Sequence, residues 1–300
     1  KLTSKRFGLI EHLEKLSTQK LDASVAKQDA KKARLAIPKL DDATYAGTSR
    51  SNECTLILCE GDSAKSLAIS GLSVVGRKTF GVFPLRGKLV NVRDNFSGGA
   101  KNAEIQAIKR ILGLEHRKAY TSTADLRYGR LVIMTDADAD GSHIKGLVIN
   151  FLDAEFPGLL TIPGFVAEFV TPLIKCTKGR DIVSFFSVQE YDAWCETCDH
   201  TSWTVKYYKG LGTSTSSDAR DYFSNLQRHV ITFTDDTTRE DALSLAFSKK
   251  RANDRKEWVV NHDGSCRPYD VETLSISQFV HQDLVNFSTA DVVRSIPDVA

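Results

Sequence analysis

Three aspartates, Asp136, Asp138 and Asp140, follow a short apolar run and are spaced two residues apart. On an extended strand end, this spacing would point all three carboxylates to the same side. Like charges held this close are costly unless a cation neutralises them, and oxygen ligands with much water suit Mg²⁺. Gly141 would permit the tight turn that such clustering requires. The pattern therefore predicts a magnesium site.

Two other interpretations fit an Asp-x-Asp-x-Asp-Gly segment. A calcium-binding EF-hand loop requires Glu at its twelfth position, but counting from Asp136 places Leu147 there, which excludes that loop. A solvated acidic turn stays open when the three aspartates are considered alone. A second acidic cluster, around Glu60, counts against the solvated turn.

Glu60 comes directly after the apolar run Cys54–Cys59, which predicts a short buried strand. A second predicted strand, Leu131–Met134, precedes the three aspartates. In parallel sheets the functional crevice lies beyond the carboxyl ends of the strands, so both acidic clusters should share it. Glu60 then becomes a candidate metal ligand or general acid/base. Two Mg²⁺ ions would balance the four carboxylates and attract phosphate oxygens, as in two-metal phosphoryl transfer.

The elements around these residues alternate between strands and helices, which predicts a parallel, three-layer α/β sheet. Asp62 or Ser63 should cap the helix that follows Glu60. A long basic helix is expected over residues 5–34 and should end at Pro38. The remaining predictions are strands within 166–174, 182–187 and 204–208, helices within 217–228 and 242–258, and a loop or linker over 261–270.

Composition limits the possible partners. Residues 1–39 hold ten Lys or Arg against four Asp or Glu, and because the chain totals +2, the rest carries −4. A chain with this charge distribution would bind nucleic acid through local basic patches.

No apolar run reaches the ~18 residues of a membrane span. Three hundred residues suit about two domains, and the opening without Met suggests a fragment.

Six cysteines and no secretion signal favour a reduced intracellular protein. Cys195, Cys198 and His200 look like half of a zinc site, but a second ligand pair is missing. Whether these three residues bind any metal stays open at this point.

Glu60-Gly61-Asp62-Ser63-Ala64, taken with the three aspartates, resembles the Toprim module that topoisomerases, bacterial primases and some nucleases share. Five further segments resemble the eukaryotic-type type IIA DNA topoisomerases in particular. They are Ile37–Ala43, Phe83–Lys88, Lys206–Ser214, Ala246–Lys250 and Asp254–Trp258. The likeness runs in order from about residue 36 to 260 and resumes at 294–297.

This resemblance implies a Toprim (Rossmann-like) parallel sheet with flanking helices, an N-terminal linker helix and a C-terminal α+β extension. It divides the chain into four parts. These are a basic connector helix (1–36), the Toprim domain (37–175), its C-terminal extension (176–260), and a linker with the start of a winged-helix region (261–300).

In this family, metals stabilise the leaving 3′ oxygen while a tyrosine attacks the DNA phosphate. By resemblance, Glu60 and Asp136 would hold one Mg²⁺, Asp136 and Asp138 a second, and Asp140 would support the pair at longer range. Glu60 would also act as the acid/base in religation.

The resemblance also marks DNA-contacting positions, each of which would otherwise be interpreted as a solvated surface residue. They are Lys88, Asn91, Arg255 and Lys256, with Arg86 and Lys209 as weaker candidates.

The expected parent protein is a homodimeric, ATP-dependent type II topoisomerase that passes one DNA duplex through a transient double-strand break in another. Its ATP-binding domain would precede residue 1, and the winged-helix domain with the nucleophilic tyrosine would follow Ala300. The nucleus is the expected compartment, with an organelle as the alternative. The segment between Trp258 and Arg294 is shorter than the family pattern.

Three other functions fit these residues less well. A freestanding Toprim nuclease or primase would not explain the Phe83–Lys88 and Lys206–Ser214 segments. A non-catalytic binding module would gain nothing from four mutually repelling carboxylates. An aspartyl-phosphate phosphatase would leave Glu60 without a role.

Overall fold

The structure, a computed structural model, describes residues 37–94, 96–264 and 267–295. The predicted basic helix over residues 5–34, and with it the connector 1–36, lies outside the described residues. Within them, no helix is both long and apolar enough to cross a membrane.

A six-stranded sheet forms the centre of the fold, in the order β2-β1-β3-β4-β8-β9. Strands β2, β1, β3 and β4 are mutually parallel, β8 is antiparallel to β4, and β9 is parallel to β8. The bounds of these strands are Thr55–Glu60 (β1), Phe80–Leu85 (β2), Arg130–Met134 (β3), Val166–Phe169 (β4), Val230–Thr234 (β8) and Thr273–Ser275 (β9). The four parallel strands confirm the predicted α/β architecture.

Helices cover both faces of this sheet because alternate residues of the buried strands point to opposite sides. One face packs on α1 and α7, where Ile57 and Val132 meet Leu67 and Phe223. The other face packs on α3 and α4. The helices are Gly61–Val75 (α1), Phe96–Lys101 (α2), Ala103–Leu112 (α3), Ala139–Glu155 (α4), Pro157–Leu160 (α5), Val188–Thr197 (α6), Ser216–Ser224 (α7), Leu226–His229 (α8), Arg239–Phe247 (α9), Ala252–Val260 (α10), Ile276–Phe279 (α11) and Val285–Ser295 (α12).

A smaller antiparallel sheet stands beside the main one, in the order β6-β5-β7. Its strands are Ile174–Lys178 (β5), Asp181–Phe185 (β6) and Thr204–Tyr207 (β7). The small core of this sheet is Ile174, Cys176 and Phe185, with Trp194 of α6 packed against it.

Some local predictions were wrong. The predicted helix over 217–228 is divided at Asn225, and that over 242–258 is interrupted by a 3₁₀ turn at Lys249–Arg251. Glu60 itself occupies the N-cap position of α1, without a side-chain cap hydrogen bond, and neither Asp62 nor Ser63 caps the helix. Asp62 instead forms an ion pair with Lys39 at 2.6 Å.

The expected linker region contributes to the main fold. Beyond residue 270, β9 extends the six-stranded sheet, and a π-helical turn, Val280–Leu284, connects α11 to α12. The four domain boundaries stay predictions.

Candidate metal centre and nucleic-acid interface

Glu60 and Asp136 meet at the carboxyl edge of the central sheet. Glu60 is the last residue of β1, and Asp136 lies two residues beyond the end of β3. These strands are parallel neighbours, so their ends lie side by side. The backbone N–H of Asp136 donates to Oε2 of Glu60 at 3.2 Å. The two acidic clusters therefore share one edge, as their positions after two predicted strands indicated.

Negative charge at this edge is only partly compensated. Burial raises the pKa of the Glu60 carboxyl, the N–H of Asp136 opposes this, and the charges of Asp136, Asp138 and Asp140 raise it further. Burial also raises the pKa of Asp136, against a hydrogen bond from Leu211 and with a further contribution from Asp138. A cation placed here would relieve both effects.

Asp138 and Asp140 do not continue an extended strand, so the expectation that all three aspartates point the same way was wrong. Strand β3 ends at Met134 and α4 begins at Ala139. The Oδ1 atom of Asp138 accepts the N–H of Gly141 at 2.7 Å, which caps α4. The two-residue spacing therefore does not place the three carboxylates on one side of an extended strand.

Asp140 already has cationic partners. Nζ of Lys88 lies 2.8 Å from its Oδ1, and the guanidinium of Arg294 lies 3.4 Å away. The hydrogen bond from Lys88, followed by that from Arg294, lowers the pKa of Asp140. The negative charge left for a metal at this edge is therefore that of Glu60, Asp136 and Asp138.

The Lys209–Gly212 loop holds Asp136 in place. The N–H of Leu211 donates to Oδ1 of Asp136 at 2.7 Å. A Cβ on Gly210 would lie 2.5 Å from Oδ2 of the same carboxylate, so only glycine allows this approach. This role of Gly210 and Leu211 was missed, although two glycines flanking Leu211 hinted at close backbone packing.

Gly141 is required for a different reason from the one predicted. It lies in the first turn of α4, and a Cβ there would collide with the carbonyl oxygen of Asp136. The absent side chain thus permits a close approach of two backbone segments, and no special turn is involved.

The donor set at this edge fits a hard divalent cation, because every available ligand atom is a carboxylate or carbonyl oxygen. Within the described residues, no group of three His, Cys, Asp or Glu side chains stands ready to hold a metal. A cation bound by Glu60 and Asp136 would therefore keep several water ligands, which is the usual environment of Mg²⁺ in proteins.

Four of the six candidate DNA contacts are exposed: Arg86, Lys88, Lys209 and Lys256. Lys88 is at the metal edge through its bond to Asp140 and lies 4.9 Å from the ring centroid of Phe287. Lys209 adjoins Gly210 and hence Asp136. Exposed cations beside an acidic edge are suited to phosphate contacts.

The other two candidates, Asn91 and Arg255, bind within the protein. Nδ2 of Asn91 donates to the carbonyl of Phe247 at 2.7 Å, and its Oδ1 accepts from Asn150. Arg255 donates to the carbonyls of Leu245 and Ser248 at 2.7 and 2.9 Å. Both side chains therefore fix the end of α9, and a DNA contact from either stays a prediction.

Among the described residues, Cys195, Cys198 and His200 do not form a group that could hold a metal ion. Cys195 lies in α6, Cys198 follows its last residue, and both are half-buried. Nδ1 of His200 lies 3.4 Å from the carbonyl oxygen of Cys198.

A buried charge network behind the metal edge was not predicted. Arg267 is paired with Glu168 and lies 2.9 Å from Asp283, and Nζ of Lys145 lies 2.8 Å from Glu168. These residues, except Glu168, line a cavity of about 180 Å³ that also borders Asp136 and Asp138. The charge network thus lies directly beside the candidate metal site.

Comparison with known proteins identifies the two halves of this fold. The Toprim domain profile matches residues 55–171, and the profile of the C-terminal associated domain of TOPRIM matches residues 169–292. DNA topoisomerase 2 of Candida glabrata is 51% identical over 296 residues, which cover 95% of this chain and 21% of that protein. Probable DNA topoisomerase 2 of Dictyostelium discoideum is 52% identical over 272 residues, 90% of this chain and 18% of that protein.

A solved structure agrees with these relatives. The crystal structure of the Plasmodium falciparum topoisomerase II DNA-binding, cleavage and re-ligation domain matches with a TM-score of 0.85 and 48% identity. The match covers 90% of this chain and 37% of that one. The chain spans about a fifth of the length of the curated relatives described above. It belongs to the eukaryotic DNA topoisomerase 2 family, as a Toprim domain followed by its C-terminal associated domain.

Proposed function

We propose that the chain is the divalent-metal-binding Toprim segment of an ATP-dependent type II DNA topoisomerase. Such an isomerase makes a transient double-strand break in one DNA duplex and passes another duplex through it. The observation that carries the proposal is the meeting of Glu60 and Asp136 at one sheet edge, where burial and uncompensated charge raise the pKa of both carboxyls. Membership of the topoisomerase 2 family supplies the reaction.

In the proposed mechanism, Glu60 and Asp136 would hold one Mg²⁺, and Asp136 and Asp138 would hold a second. When bound, Mg²⁺ supplies positive charge for the leaving 3′ oxygen of the cleaved strand. Asp140 acts at longer range, because its partners Lys88 and Arg294 already neutralise its carboxylate. The Lys209–Gly212 loop holds the Asp136 carboxylate in position at the carboxyl edge of the sheet.

The protein groups around the metals bind DNA and move protons. A raised pKa makes Glu60 more ready than an ordinary glutamate to hold a proton, which suits the acid in religation. Lys88, Lys209, Arg86 and Lys256 are exposed and contact phosphates. Lys88 exchanges Asp140 for a phosphate oxygen when the duplex arrives. Asn91 and Arg255 act by fixing the end of α9.

The partners follow from the same family. Double-stranded DNA is the substrate, and the active protein is a homodimer. ATP is bound by a region outside these 300 residues. The nucleophilic tyrosine is supplied by a winged-helix domain, which also lies outside them. The proposed compartment is the nucleus, with an organelle as the alternative.

Cleavage of supercoiled DNA in Mg²⁺ tests this function. The proteins to compare are this chain, a longer chain that includes the winged-helix domain, and the longer chain with Asp136→Ala. We expect protein-linked double-strand breaks from the longer wild-type chain only. If this chain alone nicks DNA without a covalent link, a Toprim nuclease is the correct function and the topoisomerase proposal fails.

Mn²⁺ binding to this chain, followed by electron paramagnetic resonance, tests the metal assignment separately. Glu60→Gln and Asp136→Asn should each weaken binding at least about tenfold, which corresponds to ~1.4 kcal/mol. Asp140→Asn should have a much smaller effect, because Lys88 and Arg294 already compensate this charge. Asp181→Asn, an exposed carboxylate in β6, is the matched control. Equal losses in Asp140→Asn and Asp136→Asn would refute the assignment.

A further inference from the structure

A second cavity opens at the opposite end of the central strands from the acidic edge. It measures about 310 Å³ and is lined on the sheet side by Thr55 and Arg130, the first residues of β1 and β3, which are direct neighbours across the two strands. Thr55 and Glu60 are five residues apart, or roughly 16 Å at ~3.3 Å per strand residue. Thr55 and Arg130 therefore lie far from the metal edge, although Phe169 borders both cavities.

Arg130 is an unusual cation for this protein. Nη2 donates to Oγ1 of Thr232 at 2.9 Å, but Nε is buried without a hydrogen-bond partner. In the part of the chain that the structure describes, no Asp or Glu carboxylate lies within ion-pair distance of this guanidinium. Arg239, whose side chain is 13% exposed, and the buried Arg267 both pair with carboxylates. Burial alone lowers the pKa of Arg130, and no nearby anion counters this.

Arg130 as a whole is half-buried, and a cation that is partly withdrawn from water gains from a partner of opposite sign. The guanidinium fork matches a planar carboxylate, which can accept two parallel N–H bonds. The hydroxyl groups of Thr55 and Thr232 stand beside it as further donors. The polar end of the cavity is thus suited to a carboxylate.

The rest of the cavity is apolar. Phe80 and Leu226 form its outer walls, and Ile57, Val132 and Phe169 line the sheet face. Helices α1 and α7 leave this end of the face uncovered. The remaining polar groups, Gln227 and Glu272, bond to each other at 3.3 Å and are exposed to solvent. The negative charge of Glu272 would disfavour a ligand with two or more negative charges.

We propose that this cavity binds a small organic monocarboxylate, with its acid group on Arg130 and Thr232 and its apolar body against Phe80 and Leu226. A cavity near 300 Å³ is at the small end of ligand sites, so the ligand is a small metabolite-sized acid and not a peptide. The residues that would bind the acid group lie at the opposite strand ends from the metal edge.

Titration of the whole 300-residue chain with sodium octanoate, followed by ¹H–¹⁵N NMR, tests this site, with octanamide as the uncharged probe. We expect saturable shifts at the amides of Thr55, Arg130 and Thr232, and binding of octanamide at least about tenfold weaker, as for loss of a charge-assisted hydrogen bond. Arg130→Gln should lose octanoate binding to the same extent. Arg110→Gln, which removes an exposed charge elsewhere, should bind as the wild type does.

Two further measurements separate a binding role from a structural one. Arg130→Gln should unfold at the same temperature as the wild type or higher, because the variant no longer holds a half-buried cation without an ion-pair partner. Leu226→Trp keeps Arg130 but fills the cavity, and it should abolish octanoate binding while Mn²⁺ binding at the metal edge is unchanged. Equal binding of octanoate and octanamide, or octanoate binding that survives Leu226→Trp, would overturn the proposal.

Discussion

Arg267 lies in an irregular segment, yet its side chain is central to the buried charge network. Its guanidinium is fully buried, paired with Glu168 and close to Asp283, although Nε is not aligned for a hydrogen bond to Asp283. Two cations, Arg267 and Lys145, thus balance two anions in the interior. Glu168 is 99 residues away along the chain, so no local sequence pattern could reveal the pair.

Removal of this guanidinium should be strongly destabilising. We expect Arg267→Ala to lower the free energy of unfolding by about 3 to 5 kcal/mol, because Asp283 would remain buried without its cation and Glu168 would keep only Lys145. Urea unfolding followed by circular dichroism measures the change. Arg110→Ala, at an exposed position, should change it by less than about 0.5 kcal/mol. A loss below about 1 kcal/mol in Arg267→Ala would mean that the network contributes little.

His143 adds a pH dependence to stability. Its ring stacks on Phe287 with centroids 3.8 Å apart. Burial, followed by the positive charge of Lys88, lowers the pKa of His143 from 6.5 to about 4. Between these two values the unfolded chain binds a proton that the folded chain does not, so stability rises with pH there.

The contribution of the neutral His143 side chain to folding stability is fully present above pH 6.5 and is lost as the pH falls toward 4. For a half-buried side chain, we expect it to be worth roughly 1 to 2 kcal/mol after allowance for solvent screening. His143→Gln should therefore lose less unfolding free energy than the wild type between pH 7 and pH 4.5. His229 and His281 also have lowered pKa values and act in the same direction, so the difference between the two proteins is the quantity to measure. Parallel pH curves for the two proteins would contradict the prediction.

At the scale of elements, apolar runs predicted the central strands well and helix starts poorly. β1 and β3 were found within one residue because fully buried strands appear as continuous apolar runs. The three aspartates could not be assigned in the same way. Their spacing fits an extended strand, but a hydrogen bond from the Gly141 N–H to Asp138 begins α4 at Ala139. Capping by one side chain therefore decided the geometry of the candidate site.

The loop between β7 and α7 offers a matched pair of glycines. Gly210→Ala would place a Cβ 2.5 Å from Oδ2 of Asp136, whereas a Cβ on Gly212 would meet Ser63 at an ordinary 3.7 Å. Gly210 has an extended backbone, so alanine there adds no dihedral strain. We expect Gly210→Ala to displace the carboxylate and to weaken Mn²⁺ binding by roughly tenfold, or ~1.4 kcal/mol.

Gly212→Ala is the control and should bind Mn²⁺ as the wild type does. Thermal unfolding of both variants distinguishes a local displacement from a general loss of fold. If both variants bind Mn²⁺ equally well, the loop does not position Asp136.

At the scale of the whole molecule, the two matched domain profiles meet within one continuous sheet. The boundary between the two profiles, near residue 170, directly follows β4. Strand β4 of the first profile pairs along one edge with β8 of the second profile. Strand β9 extends the same sheet, although three residues were too few to be predicted from sequence. Glu168, in the first profile, is paired with Arg267 in the second, and Lys145 of the first profile also pairs with Glu168. The two profiles thus share one core and one charge network.

This continuity predicts how the molecule opens. Native-state hydrogen exchange should give the amides of β1, β3, β4 and β8 a common opening free energy, equal to that of global unfolding, because separating β8 would expose the edge of β4. The β5–β7 sheet should open at lower free energy, since its small core contains only three buried apolar side chains among the described residues. Mass spectrometry of exchanged peptides over a range of urea concentrations measures both. If β8 and β9 instead exchange with β5–β7, while β1 and β3 stay protected, the chain contains two separate folding units that divide near residue 170.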